Sequence, residues 1–101
     1  WGTGVALKTA NQEFVTQAQK HGYVLAIRRD PEYGNTQIKA LPEKGIDLSP
    51  IYEKIQHRDQ KASWYLHPSN TMLLNGSDPR RNQTASSLRL TQLIEICTSA
   101  T

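Results

Sequence analysis

The sequence predicts an α+β fold, with a small mixed or antiparallel sheet of about four strands and helices packed on one face. Runs rich in β-branched and aromatic residues alternate with helical patterns, and glycine, proline and asparagine residues separate them. The chain of 101 residues is long enough for one modest core. We therefore expect a single domain over residues 1–101. The chain opens on Trp1 rather than methionine, which indicates either processing or, as we favour, a piece excised from a longer protein.

The first half of the chain is predicted to contain one helix and one hairpin. Residues 9–21 carry an apolar stripe, and Thr9 and Gln12 have the spacing of a capping box. Residues 23–29 form a compact apolar run rich in strand-forming side chains. Apolar and polar side chains alternate in residues 35–41, so this segment is expected to pair with the first strand as an antiparallel hairpin.

The middle of the chain is predicted to hold a second helix and a second pair of strands. Asp47 or Ser49 can cap a helix whose first turn contains Pro50, where a missing N–H costs little. Strand patterns return at residues 63–66 and 71–74, and the segment between them is rich in turn formers.

The C-terminal part is predicted to be a polar loop followed by a last helix. Residues 75–87 contain few hydrophobic side chains and many turn formers, which indicates an exposed loop. Leu88 and Leu90 return to the core, and Thr91 can cap the helix that follows them. We expect residues 98–101 to be a frayed tail.

The composition sets mild limits on partners and cofactors. Twelve lysine and arginine residues against nine acidic ones give a net charge of +3 and a pI near 9.2, which favours anionic partners. The single Cys97 excludes an intrachain disulfide and cannot by itself build a zinc site, so we predict no metal or other cofactor in this chain. The sequence has no leader segment and no apolar run of bilayer length, which indicates a cytoplasmic protein without a membrane partner.

The most informative chemistry lies between residues 64 and 82, in the segment WYLHPSNTMLLNGSDPRRN. An imidazole can donate a hydrogen bond, a guanidinium can bind a phosphate through two N–H groups, and a glycine lets backbone N–H groups approach a ligand. This mixture favours binding of an anion over bond breaking, so no catalytic residue is predicted. The predicted phosphate-binding residues are Arg28, His67, Asn75, Gly76, Ser77, Arg80 and Arg81.

A basic face on the hairpin is a second candidate feature. Arg28 and Arg29 end the first predicted strand, and Lys39 lies on its partner, so the three can together face a phosphate backbone. The aromatic residues lack the close alternation of an RNA-recognition strand, which argues against sequence-specific reading of bases. Trp64 and Tyr65 are instead predicted to pack in the core.

Structural explanations compete with each site prediction. His67 can simply be hydrogen-bonded inside a turn, and the loop after residue 74 can be a solvated connection with incidental arginines. A P-loop is disfavoured because the pattern GxxxxGK[ST] is absent. A hydrolase built from His67, Asp78 and a serine, Ser69 or Ser77, is also disfavoured, because the pattern GxSxG is absent.

Three segments, GYVLAIRRDPEYGNTQIKALP, DLSPIYEKI and WYLHPSNTMLLNGS, together with the predicted element order, resemble the C-terminal accessory domain of DHH-type, exopolyphosphatase-related phosphoesterases over most of residues 5–97. The resemblance implies that this domain holds the substrate phosphates, while a separate N-terminal domain holds a divalent metal and hydrolyses the phosphate bond. The implied ligand is a phosphorylated nucleotide or a short oligonucleotide. The family's Asp-His-His triplet and Gly-Gly-Gly-His turn are absent here, and His67 is the candidate for the histidine of that turn.

The main alternative function is a non-enzymatic interaction module. Such a module would bind nucleic acid through its basic surface or join a protein partner through the edge of its sheet. Salt distinguishes these functions, because affinity for nucleic acid falls steeply as salt rises while protein docking is less sensitive. The sequence leaves the oligomeric state open.

Overall fold

A computed structural model describes residues 4–9, 11, 13–31, 34–41, 45–76 and 84–99. Its helices and strands, in chain order, are β1 (Gly4–Lys8), α1 (Phe14–Lys20), β2 (Leu25–Arg29), β3 (Thr36–Ala40), α2 (Ser49–Arg58), β4 (Ser63–Leu66), β5 (Met72–Gly76) and α3 (Leu90–Ser99). The strands form one sheet in the order β1-β2-β3-β5-β4.

The sheet is mixed. β1 and β2 are parallel and are joined through α1, as a crossover between parallel strands requires. The pairs β2 with β3, β3 with β5, and β4 with β5 are all antiparallel. The predicted α+β class and mixed sheet are therefore confirmed, although the sheet has five strands rather than about four. β1 is the strand missing from the sequence prediction.

The helices lie on both faces of the sheet, whereas the sequence analysis expected them on one. The larger core cluster joins Leu25 and Ile27 of β2 to Ile55 of α2 and Leu93 of α3. Ala26, whose side chain points the opposite way, packs against α1 in a second cluster. β2 is buried along most of its length because it is covered on both faces, which explains why its sequence reads as a continuous apolar run.

Most of the predicted elements are confirmed within a few residues. The hairpin of β2 and β3, the helix with Pro50 in its first turn, and the strand at residues 63–66 all occur as expected. The first helix is shorter than predicted: it begins at Phe14, and the Thr9 hydroxyl accepts a hydrogen bond from the N–H of Asn11 at 3.1 Å instead of capping it. The last helix extends to residue 99, so it includes residues 98 and 99 of the predicted frayed tail, and residues 100 and 101 lie outside the described part.

Cys97 lies in the larger core cluster and is 3% exposed. Burial raises the pKa of its thiol to about 12, so almost no thiolate forms at neutral pH. We predict that a thiol-specific disulfide reagent modifies the folded chain at least about a hundredfold more slowly than the urea-unfolded chain. Equal rates in the two states, measured by release of the reagent's chromophore, would contradict this burial.

Candidate functional site

The structure describes four of the seven predicted phosphate-binding residues and does not gather them into one pocket. Arg28 lies near the end of β2 on the side of the sheet that α1 covers, because its neighbour Ala26 packs on the other side from Leu25 and Ile27. Asn75 shares the opposite side with Leu73. His67 follows β4, which is separated from β2 by β3 and β5. Ser77, Arg80 and Arg81 lie outside the described residues.

Arg28 is bound mainly within the protein. Its residue is 7% exposed, and one guanidinium nitrogen donates a hydrogen bond to the carbonyl oxygen of Thr9 at 3.1 Å. The same nitrogen lies 3.8 Å from Oδ2 of Asp30. Nε is buried without a hydrogen-bond partner among the described residues. Arg28 therefore fastens the segment after β1 to the end of β2, and a ligand would meet only the edge of its guanidinium.

Arg29 points to the other side of the sheet and does not join the predicted basic face. Its guanidinium donates hydrogen bonds to the carbonyl oxygens of Leu88 and Ser86, the latter at 2.8 Å. The neighbouring chain is close enough that a Cβ on Gly34, whose φ is +77°, would lie 3.5 Å from Ala85. These contacts make Arg29 a structural residue that fixes the segment leading to α3.

Asn75 is also a structural residue in this fold, and it is 4% exposed. Its side-chain nitrogen donates to the carbonyl oxygens of Ser63 at 3.0 Å and Thr84 at 3.1 Å. Its side-chain oxygen accepts the N–H of Ser86 at 2.7 Å. Because all of these partners belong to the chain itself, the amide is not free to orient a phosphate. Gly76 is the last residue of β5 and pairs with Ser63.

A buried carboxylate that the sequence analysis did not single out completes this network. Asp59, which is 5% exposed, accepts hydrogen bonds from Nε1 of Trp64 at 3.0 Å and from the hydroxyls of Ser86 at 2.5 Å and Ser87 at 2.9 Å. Burial alone would raise the pKa of Asp59, but the hydrogen bonds from Ser86, Trp64 and Ser87 outweigh it and lower the pKa. Asp59 thus joins the end of α2 to β4 and to the segment before α3.

His67 lies in the predicted turn between β4 and β5, where its N–H donates to the carbonyl oxygen of Met72 at 2.9 Å. The N–H of Ser69 donates to Nδ1 of the ring at 3.1 Å, and the Ser69 hydroxyl lies 2.9 Å from the same nitrogen. A backbone N–H can only donate, so Nδ1 of the neutral ring is an acceptor and the proton is on Nε2. Neutral His67 therefore offers an Nε2–H donor.

The side of the sheet that carries Arg28 continues past α1 onto β3, β5 and β4, where the side chains on this side belong to neither core cluster. Cross-strand partners share a face, and the register places Gln37 opposite both Arg28 and Leu74. We call this surface the open face, and its residues are Gln37, Lys39, Met72, Leu74 and Tyr65. Alternation along β4 places His67 at its border, on the same side as Tyr65.

The position of Tyr65 differs from the sequence prediction, and this difference bears directly on function. The sequence analysis predicted that both aromatic residues of β4 pack in the core, and Trp64 does pack against it. Tyr65 is instead 53% exposed and lies directly opposite Leu74 on the open face. A run of apolar residues in a short strand does not reveal which side chains face outward, because one residue of register exchanges the two sets.

The open face has a positive or neutral character. Lys39 lies opposite both Ala26 and Met72, and it makes no ion pair with a described carboxylate. None of the strand residues on this side of the sheet is acidic. At the Arg28 end of this side, the carboxylate of Asp30 is paired with that arginine. An anion therefore meets no opposing carboxylate from the strands of the open face.

Other features of the described residues are weaker candidates for a functional site. No three histidine, cysteine, aspartate or glutamate side chains come together within the described ranges as a metal site would need. A shallow cavity of about 240 Å³ is bounded by Glu53, Gln56 and His57, all on α2. None of the described helices has the length and apolar character to cross a bilayer.

Comparison of the chain with family models, with curated proteins and with solved structures gives no match.

Proposed function

We propose that this domain binds the phosphate groups of a nucleotide or short oligonucleotide through its open face, as the accessory domain of a DHH-like phosphoesterase. The observation that carries the proposal is the placement of Lys39 and His67 on either side of Met72. Lys39 pairs with Met72 across β3 and β5, and the His67 N–H bonds to the carbonyl of Met72 from β4. Two strand spacings put their Cα atoms about 10 Å apart, a span that a lysine and an imidazole can close around one phosphate.

The two side chains would divide the work. Lys39 supplies a positive charge on a long, flexible side chain, and Nε2–H of His67 supplies a directed donor. Arg28 is three strands away from β4, about 14 Å by strand spacing, so it would act on a different phosphate or only through its field. The distance of Arg28 from Lys39 and His67 favours a ligand with more than one phosphate over a single small anion.

In this proposal the chain positions substrate, and the hydrolytic chemistry belongs to a separate domain that holds a divalent metal. The resemblance to the DHH-type accessory domain supports this division of labour. The rival proposal, a non-enzymatic nucleic-acid-binding module, uses the same open face. A protein-interaction module would instead dock through the edge of the sheet, without a steep dependence on salt.

The test is titration of the chain with a 5′-phosphorylated thymidine dinucleotide, followed by calorimetry. We expect Lys39→Ala and His67→Ala each to weaken binding by about five- to tenfold, because each removes one charge-assisted hydrogen bond. His67→Gln should retain part of the affinity, since its amide can still donate. Lys61→Ala is the matched control, because Lys61 is an exposed lysine in the turn after α2.

Three results would contradict the proposal: the absence of binding, unchanged binding by both open-face variants, or equal weakening by Lys61→Ala. A decline in affinity with rising salt is expected for wild type, with a shallower slope for Lys39→Ala. Turnover of the dinucleotide by the chain alone would overturn the assignment of catalysis to another domain.

A further inference from the structure

We propose that the open face binds single-stranded nucleic acid by stacking an unpaired base on Tyr65. This inference rests on the proposed function and specifies its ligand: phosphate contacts alone would suit any polyanion, whereas a stacking residue requires a base. The occupant is thus an oligonucleotide rather than polyphosphate or a sugar phosphate.

Tyr65 has the surroundings of a stacking platform. It lies on β4, one of the two edge strands, with Leu74 directly opposite on β5, so its ring has an apolar neighbour on the protein side. Its exposed fraction of 53% is the largest among the large hydrophobic residues that the structure describes as exposed. No described hydrogen bond engages its hydroxyl, and the residue is absent from both core clusters. An aromatic side chain in this setting gains free energy by covering its ring with another planar group.

The polar residues of the open face fit the backbone of the same ligand. Lys39 and His67 lie in the neighbouring row of the sheet, one alternation along the strands from Tyr65. The pleat places the two rows about 7 Å apart, so a base on Tyr65 leaves its phosphate within reach of these donors. The side-chain nitrogen of Gln37 lies 3.8 Å from the sulfur of Met72, which leaves the centre of the open face weakly polar and suited to sugar contacts.

Charge and base stacking favour a single-stranded nucleic acid over a second copy of the chain or a duplex as the occupant of the open face. A second copy of the chain packed through the same face would bring Lys39 near its own equivalent, which like-charge repulsion disfavours. A duplex keeps its bases stacked on each other, so Tyr65 could not cover a base face without unstacking one. A single strand offers both its phosphates and its base faces.

The closing experiment compares three probes on the intact chain: hexathymidylate, an abasic deoxyribose phosphate oligomer of equal length, and inorganic polyphosphate. Wild type is expected to bind hexathymidylate about tenfold more tightly than the abasic oligomer, because stacking acts only on bases. Tyr65→Ala should remove that difference, Tyr65→Phe should retain it, and quenching of tyrosine fluorescence should accompany binding of hexathymidylate.

The outcomes distinguish this inference from the proposal on which it rests. If the abasic oligomer and polyphosphate bind as tightly as hexathymidylate and Tyr65→Ala changes nothing, the stacking role is wrong while phosphate binding stands. If none of the three probes binds, both fail. Circular dichroism of each variant tests folding, and Tyr65 is a surface residue whose replacement leaves both core clusters intact.

Discussion

Asp59→Ala is expected to destabilise the domain by about 3 kcal/mol, because removal of a buried hydrogen-bonded carboxylate leaves its donors unsatisfied. The indole N–H of Trp64 and the hydroxyls of Ser86 and Ser87 all donate to this carboxylate. The alanine also leaves space where the carboxylate stood. For a domain of this size the loss corresponds to a fall in Tm of roughly 12–24 °C.

Urea unfolding, followed by tryptophan fluorescence, measures the change in the free energy of unfolding. Glu53→Gln is the control, because it removes an exposed carboxylate from the same helix, α2. We expect that control to lie within about 0.5 kcal/mol of wild type. A loss below about 1 kcal/mol for Asp59→Ala would mean that the network contributes little to stability.

The pH dependence of stability gives an independent measure of the same carboxylate. The pKa of Asp59 is lowered in the folded state, so the unfolded state binds more protons on the acid side. Its stabilising contribution is present above the unfolded pKa of about 3.9 and is lost as the pH falls through the lower folded value. Asp59→Asn should therefore flatten the acid limb of the stability curve. Asp47, whose pKa the hydrogen bonds from Ser49 also lower, is unchanged in this comparison.

The elements that the sequence predicts well are those whose signal is local. Pro50 can stand only in the first turn of a helix, and α2 begins one residue before it. Asn70 has a φ of 59°, a conformation that asparagine tolerates, and it lies in the turn predicted from His67 to residue 70. β1 escaped prediction because it is a short edge strand whose pairing with β2 is not local in sequence.

The site was harder to predict because its geometry depends on strand register. Asn75 and Gly76 read as a turn, yet β5 extends through both and turns the Asn75 side chain inward. Tyr65 reads as a core residue, yet β4 turns it outward. Charge and hydrogen-bonding capacity predict Arg28 and His67 as phosphate-binding residues, and the structure separates them across three neighbouring strand pairs. Residue type thus indicated the chemistry, but only the register assigned it to a face.

These assignments also separate a structural polar network from the open face. The network around Asp59, Asn75 and Arg29 lies on the core side of the sheet and fixes the segment at residues 84–88. Lys39 and Tyr65, on the other side, take part in none of the hydrogen bonds that the structure describes in this network. Variants of the network should therefore change stability and leave binding nearly unchanged. Variants of the open face should change binding and leave stability nearly unchanged.

Asn75→Ala tests this separation directly, and we expect it to destabilise the domain by about 2–4 kcal/mol. Its side chain satisfies the carbonyl oxygens of Ser63 and Thr84 and the N–H of Ser86, so alanine leaves those buried backbone groups with weaker or no partners. Asn35→Ala is the matched control, because the Asn35 side chain makes no hydrogen bond to the described part of the chain. Thermal unfolding measures the difference between the two variants.

Binding measured well below the unfolding temperature decides between a structural and a ligand-binding Asn75. If the amide is structural, folded Asn75→Ala binds the phosphorylated dinucleotide within about twofold of wild type, because additivity holds for sites that share no partners. A variant that unfolds at the wild-type temperature but has lost binding would restore Asn75 as a phosphate ligand. That result would require β5 to twist its end outward in the complex, since Asn75 and Lys39 lie on opposite sides of the sheet in this structure.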